Sequence, residues 1–148
     1  MNLKDKIETM LYSYPSLKVE IMNLELDIEE KLNNYSTLSA VQYDKDSISK
    51  TYKFNSEVEN KVIDIEKSNR ELNSEISILK NKKRSKEIQV KRIENLLTAL
   101  TERENIIIRR RYFEKVKNIN IGLELNLTEE YICELKRGII NKLSKLIS

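Results

Sequence analysis

The sequence has no histidine, one cysteine, one proline and two glycines among its 148 residues. Without histidine the chain cannot form a Ser-His or Cys-His catalytic pair, and it lacks the commonest transition-metal ligand. The single thiol, Cys133, excludes a disulfide within the chain and argues against a structural zinc site. Because no nucleotide-binding loop or metal cluster can be found either, we expect no enzyme, no catalytic or metal-binding residues and no cofactor.

The scarcity of glycine and proline, together with 34% charged residues, is typical of long helices. The chain has no secretory signal and no apolar run of about 18 residues, so we expect a cytoplasmic protein with no membrane contact. Residues 1–79 hold 10 Lys and Arg against 15 Asp and Glu, whereas residues 80–148 hold 17 against 9. The basic excess in the second half suits a nucleic-acid surface, although ordinary charge fluctuation would also produce it.

A heptad repeat without proline or glycine runs through residues 57–100 and predicts one long helix, with Ser56 as its N-cap. Its seam consists of Val58, Val62, Ile65, Asn69, Leu72, Ile76, Leu79, Lys83, Lys86, Val90, Ile93, Leu97 and Leu100. Asn69 is either a tolerated polar layer or a residue that sets the register. Lys83 and Lys86 belong to a basic cluster at 80–92, which is either a solvated face or a helix break, or else a phosphate-binding patch.

The N-terminal segment carries the same spacing, interrupted by Pro15. Its apolar positions are Leu3, Ile7, Met10, Tyr14, Leu17, Ile21, Leu24 and Ile28. Because proline lacks the amide donor, we expect a break near Tyr14 and a restarted helix, capped by Ser13, that ends near Asn33. The pattern is lost at about 34–55, which predicts a long loop, either flexible or carrying a docking element built on Tyr43, Tyr52 and Phe54.

These patterns predict an all-α protein with two parts. Residues 1–97 form an antiparallel helical hairpin or coiled coil, and its long helix leads into a C-terminal helix-turn-helix domain at 98–148. A short arm at 16–33 spans about 27 Å and cannot cover the whole long helix. The rest of the seam must meet the C-terminal domain, the first helix or a second subunit, and we expect a homodimer formed through the heptad helices.

The segment from Ile121 to Leu135 has the spacing of a helix-turn-helix. Gly122 would let two helices approach closely, and Asn126 tolerates the left-handed conformation of a tight turn. Thr128 is a candidate N-cap for the second helix.

The flanking segments also read as helices. Thr101 and Glu104 form a capping box before the helix NIIIRRRYF. In the last helix the expected buried stripe is Ile132, Leu135, Ile139, Leu143 and Leu146. Gly138 inside that helix costs about 1 kcal/mol relative to alanine, and close packing or a bend would account for it.

Residues 99–147 resemble region 4 of bacterial sigma-70-type factors in three successive pieces: LTERENIIIRRRYF, INIGLELNLTEEYICELKRG and IINKLSKLI. The layout, with a helical N-terminal part before this domain, is similar to phage late-transcription activators of the RinA/ArpU type. Two features depart from the family. No segment like the promoter-melting region is present, and residues 117–120 replace a usual acidic pair.

The resemblance implies that the helix starting at Glu129 enters the DNA major groove. The candidate contacts to bases are Thr128, Glu129, Glu130, Tyr131, Cys133, Glu134 and Arg137, with Tyr131 able to contact base or backbone. The candidate contacts to phosphates are Arg103, Arg109, Arg110, Lys117 and Lys136. The three glutamates repel phosphate unless they are paired, which argues for modest affinity from one module.

We therefore expect a sequence-specific transcription regulator, phage or prophage encoded, that binds double-stranded promoter DNA and has RNA polymerase as a candidate partner. Two alternatives stay open. One is a phage DNA-packaging recognition subunit resembling a small terminase, and the other is a coiled-coil adaptor that binds only protein.

Overall fold

The computed structural model describes residues 2–44 and 55–147, with side chains for 2–34 and 60–147. All regular structure in these residues is helical, which confirms the predicted all-α class. The helices are α1 (Leu3–Asp44), α2 (Asn55–Leu97), α3 (Glu102–Ile108), a π-helical turn (Arg109–Phe113), α4 (Asn118–Leu125) and α5 (Glu129–Ile147). None of the helices in this described part combines the length and apolar character needed to cross a membrane.

The chain divides into two compact units. Unit 1 contains residues 1–20 and 86–148, and unit 2 contains residues 21–85. This grouping differs from the predicted division after residue 97. Within unit 1 the beginning of α1 contacts the end of α2 through Tyr14 and Glu94, and it contacts the rings of Tyr112 and Phe113.

In unit 2, α1 and α2 run antiparallel. The buried side chains of Ile28, Leu72 and Ile76 form the contact, with Leu79 packed against them. Ion pairs flank it, with Lys31 Nζ lying 2.9 Å from Glu75 Oε2.

The predicted heptad seam is confirmed wherever side chains are described. Each seam residue from Val62 to Leu100 is buried or half-buried. Helix α2 begins at Asn55, so Ser56 lies inside the helix and the prediction that it is the N-cap is wrong.

The basic cluster does not break α2. Within unit 2, Lys83 Nζ lies 3.2 Å from Glu25 Oε1. Within unit 1, Lys86 pairs with Glu20. The ammonium groups of both seam lysines thus form ion pairs with carboxylates on α1. Because α2 is continuous here, a helix break at these positions is excluded.

Helix α1 passes through Pro15 without interruption, so the expected break near Tyr14 and restart at Ser13 are wrong. The Ser13 hydroxyl donates instead to the Met10 carbonyl at 2.7 Å, as it would in a helix interior. Leu11, Tyr14 and Leu17 are buried on both sides of the proline. Their packing outweighs the roughly 3 kcal/mol that proline costs inside a helix.

The same helix extends to Asp44, so the predicted loop does not begin at residue 34 and the helix does not end near Asn33. Residues 45–54 and the side chain of Tyr43 lie outside the described part, as does the proposed docking element. Helix α1 has 42 residues and α2 has 43. The length mismatch that suggested a homodimer is therefore absent, and the dimer stays a prediction without that support.

Tyr112 anchors the core of unit 1. It is 1% exposed, its hydroxyl donates to Glu8 Oε1 at 3.0 Å, and its ring meets Tyr12 edge-on with centroids 4.7 Å apart. The neighbouring Phe113 stacks on Tyr14 with centroids 4.4 Å apart. The RRRYF segment is thereby fixed against the beginning of α1.

We predict that Asn69→Leu stabilises the protein. Asn69 lies on the seam, and its Oδ1 is buried with no hydrogen-bond partner among the described residues. Replacing this unpaired acceptor by an apolar side chain should raise the free energy of unfolding by about 1–2 kcal/mol in urea titrations. Asn73→Leu, at an exposed position of the same helix, should change it by less than about 0.5 kcal/mol. A loss of stability in Asn69→Leu would reveal a partner outside the described side chains and favour the register-setting interpretation.

We predict an alkaline loss of stability that depends on Tyr112. Burial, followed by the charge of Glu8, raises the pKa of Tyr112 well above its ordinary value. As pH rises past about 10, the unfolded chain releases this proton while the native protein retains it, so the free energy of unfolding falls. Tyr112→Phe should lower the free energy of unfolding by about 1–2 kcal/mol at pH 7. In urea titrations between pH 9 and 11, this free energy should fall less steeply in the variant than in the unmodified protein. Parallel curves for the two proteins would contradict this assignment.

Candidate nucleic-acid interface

The turn between α4 and α5 is built by Asn126. This residue has φ 56° and ψ 43°, and its amide donates to the Gly122 carbonyl at the end of α4. The Leu127 amide donates to the same carbonyl at 2.8 Å. The left-handed conformation expected for Asn126 is confirmed, and two hydrogen bonds on one acceptor close the turn.

Gly122 is required by the closeness of the following chain. A Cβ atom at this position would lie 2.5 Å from the Leu127 carbonyl oxygen. This confirms the prediction that Gly122 allows the close approach. Since the obstructing atom belongs to the backbone, rotation of a side chain cannot relieve the contact.

Thr128 caps the second helix as predicted. Its hydroxyl accepts a hydrogen bond from the Tyr131 amide at 3.2 Å. The buried side of α5 consists of Ile132, Ile139, Ile140, Leu143 and Ser144. Of the predicted stripe, Leu135 is only half-buried, and the prediction is wrong at Leu146, which is 55% exposed. Ile140 is buried instead, because the buried face of α5 is shifted around the helix toward Ile140 and Ser144.

The opposite side of α5 is uncovered. Glu129, Glu130, Cys133, Glu134 and Arg137 line an open depression of about 430 Å³. These are five of the seven residues predicted to contact bases, and the structure brings them together on one helix face. Glu129, Glu130 and Glu134 form no ion pair with any described residue.

Cys133 lies at the boundary between this face and α4. Its side chain is half-buried, and the Asn118 amide nitrogen lies 3.2 Å from its sulfur. The thiol therefore has a partner on α4, and the predicted contact of Cys133 with a base stays a prediction.

The predicted phosphate contacts differ in their surroundings. Arg110 lies 2.6 Å from Glu114 and 3.2 Å from Glu124, so it joins the π-helical turn to α4. The guanidinium of Arg109 lies 5.9 Å from the centre of the Phe113 ring. Exposed Lys117 occupies the N-cap position of α4, and Lys136 is half-buried on α5. Arg110 is the only one of these four cations that is paired with carboxylates within the described residues.

The predicted capping box of α3 is present and also holds α5. The Thr101 amide donates to Glu104 Oε1 at 3.0 Å, and the Glu104 amide donates to the Thr101 hydroxyl at 3.3 Å. Lys142 on α5 lies 3.4 Å from the same carboxylate oxygen. The Thr101 amide, followed by its hydroxyl and the Lys142 charge, lowers the pKa of Glu104. Nothing in the sequence indicated the link to Lys142, because it joins residues 38 positions apart.

A π-helical turn at Arg109–Phe113 was also not predicted. The chain leaves it through Lys115, which has φ 58°. The Val116 amide donates back to the Arg110 carbonyl at 2.8 Å. This local widening of the helix positions the Tyr112 and Phe113 rings toward α1, and turns of this type are frequent at functional sites.

No family model, curated protein or solved structure matches the chain. Among the described residues, no group of three or more Cys, Asp or Glu side chains is placed to hold a metal ion.

The two glycines should respond oppositely to alanine. Gly122→Ala should lower the free energy of unfolding by about 2–3 kcal/mol, because its Cβ would overlap the Leu127 carbonyl. At Gly138 a Cβ would meet nothing within 4 Å, so the expectation of close packing there is wrong. Gly138→Ala should therefore raise stability by about 1 kcal/mol through helix propensity. Urea unfolding of both variants measures this, and equal effects would contradict the packing difference.

Proposed function

We propose that this chain binds double-stranded DNA by inserting the N-terminal half of α5 into the major groove, and that it regulates transcription at promoter DNA. The observation that carries the proposal is the uncovered face of α5. It presents Glu129, Glu130, Glu134 and Arg137 side by side, while α4 crosses behind it at the distance that Gly122 permits. A helix supported in this way fits the major groove, where base edges offer distinct hydrogen-bond patterns.

The side chains of this face are suited to base reading. A carboxylate accepts a hydrogen bond from the amino group of cytosine, and an arginine donates two hydrogen bonds to guanine. None of the three glutamates forms an ion pair with a lysine or arginine among the described residues. Their acceptors are thus free for base amino groups, but their charges oppose the phosphates.

Because the glutamates of α5 repel the DNA phosphates, we expect a second source of binding energy besides this helix. Either a second copy of the chain or RNA polymerase would add affinity that a single acidic recognition helix lacks. A homodimer would bind two half-sites about one helical turn apart. RNA polymerase is the partner that the resemblance to sigma region 4 implies, and a phage or prophage origin belongs to the same proposal.

Selection from a random duplex pool tests DNA reading, with the mass of the protein measured in the same buffer. We expect enrichment of a defined motif, palindromic for a dimer and asymmetric for a monomer. If no motif is enriched and no salt-dependent binding is found, the proposal is rejected and a protein-binding adaptor is favoured. A ring of eight or more subunits would favour DNA packaging.

Arg137→Ala tests base reading at a single position. The variant should lose about 1–3 kcal/mol of binding free energy on the selected site and much less on random duplex. Arg70→Ala removes the same charge from an exposed position of α2 in unit 2 and should bind both duplexes like the unmodified protein. Equal losses of Arg137→Ala on the two duplexes, measured by fluorescence anisotropy, would count against base contact by Arg137.

A further inference from the structure

Arg103 and Tyr131 bring together the first turns of α3 and α5. The guanidinium carbon of Arg103 lies 6.0 Å from the centre of the Tyr131 ring. Both side chains are exposed, Tyr131 by 40%. The backbone of Tyr131 is fixed by the Thr128 cap. The ring is therefore held at the end of α5 that would enter the groove.

Glu104, the neighbour of Arg103 on α3, is held by contacts on both sides. Glu104 completes the capping box with Thr101 and also contacts Lys142 on α5. These contacts restrain the rotation of α3 against α5. Arg103, which precedes Glu104, places its guanidinium near the beginning of α5, 6.0 Å from the centre of the Tyr131 ring.

An aromatic partner leaves the charge of an arginine intact, whereas a carboxylate cancels it. Arg110 lies against Glu114 and Glu124, so this group of three side chains carries a net negative charge. Arg103 forms no ion pair with any described residue. The Tyr131 ring orders its guanidinium through a cation–π contact without neutralising it. Arg103 thus stays a full positive charge beside the acidic first turn that begins at Glu129.

We infer that Arg103 is the phosphate contact at the N-terminal end of α5, and that Tyr131 is a positioning residue that holds the Arg103 guanidinium there. The inference rests on the proposed DNA binding and deepens it. The DNA phosphate next to the bases read by α5 is bound by a residue of α3. In this arrangement Arg103 opposes the repulsion that Glu129 and Glu130 exert on the same strand.

The test measures affinity for the selected duplex between 50 and 200 mM salt. Arg103→Ala should reduce the slope of log affinity against log salt by about one, and affinity about threefold to tenfold. Arg103→Lys should keep most of the slope because it keeps the charge. Tyr131→Phe, which keeps the ring, should match the unmodified protein, whereas Tyr131→Leu should weaken binding about twofold to fivefold.

A double-mutant cycle separates positioning from direct contact by Tyr131. If Tyr131 acts through Arg103, Tyr131→Leu should have no further effect in the Arg103→Ala protein. The same loss in both backgrounds would assign Tyr131 a contact of its own and overturn the inference. An unchanged salt slope in Arg103→Ala, in a protein that still selects its site, would also overturn it while leaving the proposed function standing. Failure of the unmodified protein to bind any duplex would reject the proposed function itself.

Discussion

The arrangement of the C-terminal module depends on one close approach, between the backbone of α4 at Gly122 and the Leu127 carbonyl. Any side chain at Gly122 would push the turn outward, since a Cβ would lie 2.5 Å from that oxygen. The turn is closed at the same place by amides donating to the Gly122 carbonyl. This contact fixes where α5 begins relative to α4. It also decides which side of α5 is buried through Ile132 and Leu143 and which side stays uncovered.

The module is completed by the beginning of the chain. Tyr112 and Phe113 lie on a π-helical turn, and their partners Tyr12, Tyr14 and Glu8 all belong to α1. A module that included only residues 98–148 would expose the Tyr112 ring and leave its hydroxyl without Glu8. Residues 98–148 are therefore part of the same compact unit as residues 1–20. The first turns of α1 belong to the core of unit 1, where they pack against the π-helical turn that precedes α4.

Patterns of local origin were predictable from the sequence. The heptad seam, the capping box at Thr101 and the turn at Asn126 each depend on residues a few positions apart, and each is present. The expected break at Pro15 was wrong because local propensity was outweighed by burial of Leu11 and Leu17, which the sequence does not display. Contacts such as Tyr112 with Glu8 or Glu104 with Lys142 join distant segments, and a single sequence carries no signal for them.

Charge is the property whose meaning the structure alters most. The acidic first half and basic second half suggested a nucleic-acid surface, but part of this asymmetry is internal pairing between helices. Lys83 and Lys86 face carboxylates of α1, and in the C-terminal module Arg110 and Lys142 are also paired. Other basic side chains of residues 98–148, among them Arg103, Arg109 and Lys117, form no ion pair within the described residues, and each phosphate contact contributes about 0.9 to the salt slope. In the proposed function these unpaired side chains supply the sequence-independent attraction to phosphates, whereas base contacts on α5 supply the recognition of a site.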